Sequence, residues 1–241
     1  MPESAAPARE LAWVDQGTAL VVELLAALPD TAFAEPTALE GWSRAHVAAH
    51  LGGNARALLR LAEWARTGVE NPMYAGRAAR DAEIEAEAAR PPADLRGLVA
   101  DTAGELRAAL DALTPEQWRA PVVTGQGRTV PATELPWLRC REVWVHAVDL
   151  GAGTAFADLP PDLLDALLAD TAAARLRRGQ DPALVLAPTD RERTWSAAPP
   201  GAEPVTVRGT AAALAAWITG RGGAGVATAQ GAPPPDPGRW L

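Results

Sequence analysis

Apolar residues recur with a helical period over most of the chain. Leu11, Leu20, Val21, Leu24 and Leu25 mark a helix over about 7–28, ended by Pro29 and Asp30. After a loop through Pro36, Ser43 is a natural N-cap for a second helix reaching about residue 66, with Gly68 just past its end. Gly52 and Gly53 fall in the middle of that helix, where glycine is costly, which points to close packing or a nearby ligand. Residues 69–76 read as a loop, and 77–90 as a short charged helix broken by Pro91 and Pro92. A long amphipathic helix follows, with Leu95, Leu98, Val99, Leu106, Leu110 and Leu113 inward. The glycine-containing stretch 122–130 reads as irregular. A helix over about 132–150 is stopped by Gly151, and one more helix covers about 160–178. From Asp181 the pattern changes to short strand-like runs at 183–187, 193–197 and 205–208, an alanine-rich helix at 210–219 and a last run at 226–229. The expected fold is mainly α with an α+β appendage. An up-and-down four-helix bundle occupies residues 1–180, and a small α+β domain occupies 181–241.

Composition narrows the setting. A length of 241 residues suits one large domain, or one domain with a small appendage. A net charge of −8 argues against a nucleic-acid partner. All 22 basic residues are arginine, and alanine, glycine and proline are abundant, as GC-rich coding would produce. The single cysteine, Cys140, excludes an internal disulfide and a cysteine-built zinc site, and fits a reducing cytosol. It reads as a buried, inert thiol rather than a nucleophile. The N-terminus lacks the basic-then-apolar pattern of a signal peptide, and no apolar run reaches the roughly 18 residues of a membrane span. A cytoplasmic protein without membrane or nucleic-acid partners is expected.

Candidate chemistry rests on three histidines. Each lies in an i, i+4 pair with another possible ligand: His46 with His50, and Glu142 with His146. On a helix this spacing places both members on one face, a turn apart. Around the second pair, Leu138, Val143, Trp144, Val145, Ala147, Val148 and Leu150 make the helix apolar on almost every side, as in a buried helix. Glu142, His146 and Asp149 therefore share one line of an interior helix. A buried carboxylate beside an imidazole is costly unless satisfied. An internal Glu–His hydrogen bond satisfies it, and so does a cation shared between two facing helices. The residues alone leave both open.

The block Gly41-Trp42-Ser43-Arg44-Ala45-His46-Val47-Ala48-Ala49-His50-Leu51 resembles the family of mycothiol-dependent maleylpyruvate isomerases. So do Trp64-Ala65-Arg66-Thr67-Gly68-Val69-Glu70-Asn71-Pro72-Met73-Tyr74, the stretch 141–149, and Trp217-Ile218-Thr219-Gly220-Arg221. These blocks follow the family's order and span essentially the whole chain. The resemblance implies a DinB-like bundle carrying a divalent metal, usually zinc, with a small C-terminal α+β domain. Carried over by motif position, it implies His50, Glu142 and His146 as metal ligands, three protein donors with an open position as in catalytic zinc sites. His46 is left outside that set, and Asp149 is a candidate to anchor a ligating imidazole.

The reaction implied by resemblance is cis–trans isomerisation of maleylpyruvate, or a similar cis-enone diacid, to fumarylpyruvate, with mycothiol as the thiol cofactor. A thiolate adding to the conjugated alkene leaves the central bond single; the bond rotates and re-forms as the thiolate departs. A metal supplies the thiolate by binding the sulfur, so Cys140 is not required. A substrate with two carboxylates suits arginine. The resemblance favours Arg80 and Arg221 as catalytic residues, with Arg77 and the sole tyrosine, Tyr74, nearby in sequence. No residue is assigned to the thiol. Mycothiol belongs to actinobacteria, whose GC-rich genomes agree with the arginine-only composition. The nearest alternative is a mycothiol S-transferase, which keeps the adduct. A more distant one is a non-catalytic metal-binding regulatory protein.

Overall fold

The computed structural model describes residues 6–238 and 240. The chain divides into two compact units, Met1–Gly153 and Thr154–Leu241.

The first unit contains α1 (Ala8–Ala27), α2 (Arg44–Thr67), α3 (Arg77–Ala88), α4 (Pro92–Asp111), the single turn α5 (Pro115–Trp118), strands β1 (Pro121–Val123) and β2 (Thr129–Pro131), and α6 (Leu135–Asp149). Helix α1 packs on α4 and α6, and α2 packs on the same two, which closes a four-helix bundle; α3 lies outside against α2. Side chains at the helix ends give the directions. Arg44 at the start of α2 donates to the carbonyls of Leu150 and Gly151 at the end of α6. Arg96 near the start of α4 donates to those of Leu25 and Leu28 at the end of α1. Gln117, just after α4, reaches the Arg66 carbonyl at the end of α2. The bundle thus runs up, down, down, up. Helix α3 and its loops carry the chain back from the end of α2 to the start of α4, a long crossover of the kind bundles use.

The bundle core includes Leu58, Leu61, Leu106, Leu110 and Leu135, each at most 1 % exposed. Each such leucine contributes roughly 1.5–3 kcal/mol relative to an exposed position. Close approach of helices depends on glycine: a Cβ on Gly17 would lie 2.6 Å from Val143 and 2.7 Å from the Trp144 indole nitrogen. That nitrogen donates to the Trp13 carbonyl at 2.8 Å, tying α6 to α1. The stretch 122–130, read from sequence as irregular, is a two-stranded antiparallel hairpin with Val122 opposite Val130, both buried. Three-residue strands are too short for alternation to show.

The second unit contains α7 (Pro161–Arg178), β3 (Leu184–Pro188), β4 (Trp195–Ala197), β5 (Val205–Gly209), α8 (Ala211–Ile218) and β6 (Ala227–Thr228). Its sheet has the order β4-β3-β5-β6. Strands β3 and β5 pair in parallel, and the outer strands pair antiparallel to them. Helix α7 packs on α8 and β4. The boundary between units therefore falls at Gly153/Thr154, not after residue 180 where the hydrophobic pattern changes. Periodicity locates the apolar face of α7 (Leu163, Leu164, Leu167 and Leu168, all buried) but does not say which layer that face covers. Among the described residues no helix is long and apolar enough to cross a membrane.

Candidate metal centre

Helix α2 begins where Gly41, at φ +76°, turns the chain into Trp42 and Ser43. Its first histidine completes the cap: His46 Nδ1 accepts from the Ser43 backbone N–H at 3.2 Å. The other ring nitrogen of His46 lies 3.3 Å from Glu85 on α3. Both nitrogens are thus occupied by α2's own start and by α3.

One turn further, His50 points between α2 and α6. Its Nε2 is 2.8 Å from Glu142 Oε2, and His146 Nε2 is 3.3 Å from the same oxygen. One donor atom from each of His50, Glu142 and His146 lies within 4.8 Å of the other two. Both imidazoles are buried and Glu142 nearly so. The Nδ1 of His146 is held by Asp149 Oδ2 at 2.8 Å, which leaves Nε2 facing the cluster. Three donors thus converge from two helices, exposing two imidazoles and one carboxylate to a common point. That donor set and spacing fit a divalent cation of zinc's preferences.

The ionisation of His50 and Glu142 suits metal binding. Burial pushes His50 down to about 4, against the opposing pull of Glu142, so the ring is neutral as a ligand must be. Burial alone would raise Glu142, but hydrogen bonds from His146 and His50 hold it well below the usual carboxylate range. His146 is likewise penalised by burial, and Asp149 and Glu142 outweigh that and raise it.

Other groups frame the cluster. The Trp42 ring lies 5.4 Å from His50 and 6.4 Å from His146, covering both imidazoles. Arg80, on α3, has Nη2 3.3 Å from His50 Nδ1, and its guanidinium is 5.9 Å from the Tyr74 ring. Burial raises the Tyr74 hydroxyl, with Arg80 opposing. Arg139 sits one turn before Glu142 on α6, 1 % exposed. Its Nη1 donates to the Leu51 carbonyl at 2.7 Å and Asn54 Oδ1 at 2.9 Å, while Nε and Nη2 find no hydrogen-bond partner among the described residues. Burial lowers it to about 10, with Glu142 and Tyr74 pulling the other way.

Of the residues singled out from sequence, the first unit brings together His50, Glu142, His146, Asp149, Arg80 and Tyr74. His46 stands beside them in its capping role. Arg221 belongs to the second unit, after α8, where its guanidinium lies 5.2 Å from the Trp240 ring. Cys140 is buried on α6. Two neighbours escaped the sequence reading. Trp42 carried a signal in its place beside the N-cap. Arg139 carried one too: 139, 142 and 146 follow i, i+3, i+7 down a helix that is otherwise apolar.

Comparison with known proteins covers nearly the whole chain. Residues 14–151 match the model of the mycothiol maleylpyruvate isomerase N-terminal domain, and 158–235 match that of the MDMPI C-terminal domain. No curated protein matches significantly. A crystal structure of a mycothiol-dependent maleylpyruvate isomerase is similar over 98 % of both chains, at 38 % identity and a TM-score of 0.92. A histidine-to-alanine mutant of such an isomerase is similar over the same share of both chains, at 37 % identity and a TM-score of 0.91. The chain therefore belongs to the mycothiol maleylpyruvate isomerase family.

Proposed function

We propose that this protein is a mycothiol-dependent cis–trans isomerase that converts maleylpyruvate, or a closely similar cis-enone diacid, to the trans isomer in the cytoplasm. The observation that carries the reading is the convergence of His50, Glu142 and His146 within 4.8 Å, in a chain similar from end to end to isomerases of that kind. His50, Glu142 and His146 would hold the metal, with zinc the ion that suits the donor set. A divalent cation there would acidify a thiol, and mycothiol would supply the thiolate whose reversible addition lowers the alkene's bond order.

The chain's own groups serve that chemistry in separable ways. Asp149 keeps the His146 proton on Nδ1 and so aims Nε2 at the cluster. Arg80 lies beside Nδ1 of His50. An imidazole that ligates through Nε2 carries its proton on Nδ1 and no longer accepts from Arg80. The guanidinium is then available to a substrate carboxylate, and to the negative charge that develops on the enolate oxygen. Trp42 covers the imidazoles and limits water around them. Arg221 is assigned to the substrate by family resemblance. Cys140 takes no part.

The test is an assay of metal-loaded protein with maleylpyruvate, with and without mycothiol. The expected result is isomerisation only when thiol is present. Stable conjugation of mycothiol to a simple electrophile, with no isomerisation, would make it an S-transferase instead.

A further inference from the structure

Helix α2 carries two adjacent glycines, each a cost to helix stability, and the structure separates their reasons. At Gly52 a Cβ would lie 2.5 Å from Leu98 Cγ, so this glycine lets α2 and α4 touch. At Gly53, which is also buried, a Cβ would meet nothing within 4 Å. Packing does not account for the second glycine. Protein interiors are close-packed, so open space against buried backbone is room for something else.

Its direction says what. With 3.6 residues per turn, Gly53 lies about 60° round α2 from His50 and about 20° from Arg60. It therefore sits on the strip of helix surface joining the metal cluster to a pocket of about 420 Å³ bounded by Arg60, Pro72, Tyr74, Ala79, Arg80 and Glu83. Arg80 belongs to both, through His50 at one end and Tyr74 at the other. Arg60 is fixed by donating Nε to the Met73 carbonyl at 2.9 Å, and its guanidinium is 6.0 Å from the Tyr74 ring. The pocket's acid, Glu83, lies 3.9 Å from the Arg56 guanidinium. Two arginines over an apolar floor suit a short carbon chain ending in a carboxylate.

We propose that Gly53 is a specificity-determining residue: the bare backbone over which the carbon chain of the diacid lies between the metal cluster and the Arg60–Arg80 pocket. The absent Cβ sets the width of the passage, so that a flat, unbranched chain fits. This rests on the isomerase reading above.

The test uses Gly53→Ala and Gly53→Val, with Gly104→Ala as control. Gly104, exposed on α4, also has open space at its Cβ position. Alanine favours helix at both positions, so both alanine variants should keep or raise the Tm. Gly53→Ala should raise KM for maleylpyruvate about tenfold, and Gly53→Val more, the scale of one methyl group misplaced in a fitted site. Metal content and KM for mycothiol should not change, and Gly104→Ala should behave as wild type. Independently of turnover, the diacid maleate should protect the wild type against thermal unfolding and should protect Gly53→Val much less. Unchanged KM and unchanged maleate protection in both Gly53 variants would overturn the proposal, as would a rise confined to KM for mycothiol. A wild type with no isomerase activity that maleate still protects would count against the isomerase reading while leaving the Gly53 passage standing.

Discussion

Two histidines a turn apart on one helix face do different work here, and the difference lies in what each ring nitrogen touches. His46 spends one nitrogen on the N-cap of α2 and the other on Glu85, so it closes a helix. His50 has Nε2 directed at Glu142 and buried. His46→Ala should therefore cost about 1 kcal/mol of stability, as lost caps do, with metal content unchanged in elemental analysis. His50→Ala should lose metal and activity together. Asp149→Asn keeps the shape of the side chain but weakens the hold on His146 Nδ1. Titration should show metal affinity down about 10–100-fold, the usual cost of losing such a partner. Spacing alone offered His46, His50, Glu142 and His146 as candidates, because i, i+4 pairs and an apolar surround are local properties; the choice of His50, Glu142 and His146 among them came from the family resemblance. It could not separate a metal from an internal hydrogen bond, because that choice depends on a third donor from another helix. Trp42 and Arg139 left only weaker marks in the sequence, because their contacts with the site are made across space.

At the scale of elements, glycine placement decides how near the helices come. Gly52→Ala should destabilise the protein by roughly 1–3 kcal/mol in urea unfolding, since the new methyl would overlap the buried Leu98 side chain. Gly53→Ala, one residue on, should show no such loss. This opposite behaviour of neighbours is visible only in three dimensions, although the paired glycines were conspicuous in the sequence. Helix extents followed from periodicity and punctuation, as in α2, bounded by Ser43 and Gly68. Helix directions did not, because a hydrophobic stripe reads the same whichever way its neighbour runs. The parallel placement of α2 and α4 is set by the crossover through α3, whose own surface is mostly charged and whose buried residue is Ile84.

For the whole molecule, the two compact units divide at Gly153/Thr154, whereas the hydrophobic pattern changes only after residue 180. Helix α7 has the same kind of apolar face as the bundle helices, yet it serves the sheet. The metal cluster and Arg80 lie in the first unit, and Arg221 lies in the second. Arg221→Ala should lower turnover while leaving metal content at the wild-type level; unaltered kinetics would return Arg221 to an ordinary surface role. Cys140→Ser should retain turnover, because the thiol that reacts is supplied from outside the chain. The central claim, that three side chains of the bundle hold a cation on which thiol-dependent isomerisation depends, is tested most directly by one titration. Metal is stripped with a chelator and zinc is returned stepwise, while bound metal and maleylpyruvate isomerisation in the presence of mycothiol are measured on the same samples. Activity should rise in proportion to bound zinc and reach its plateau at one ion per chain. Full activity in the stripped protein would contradict the account.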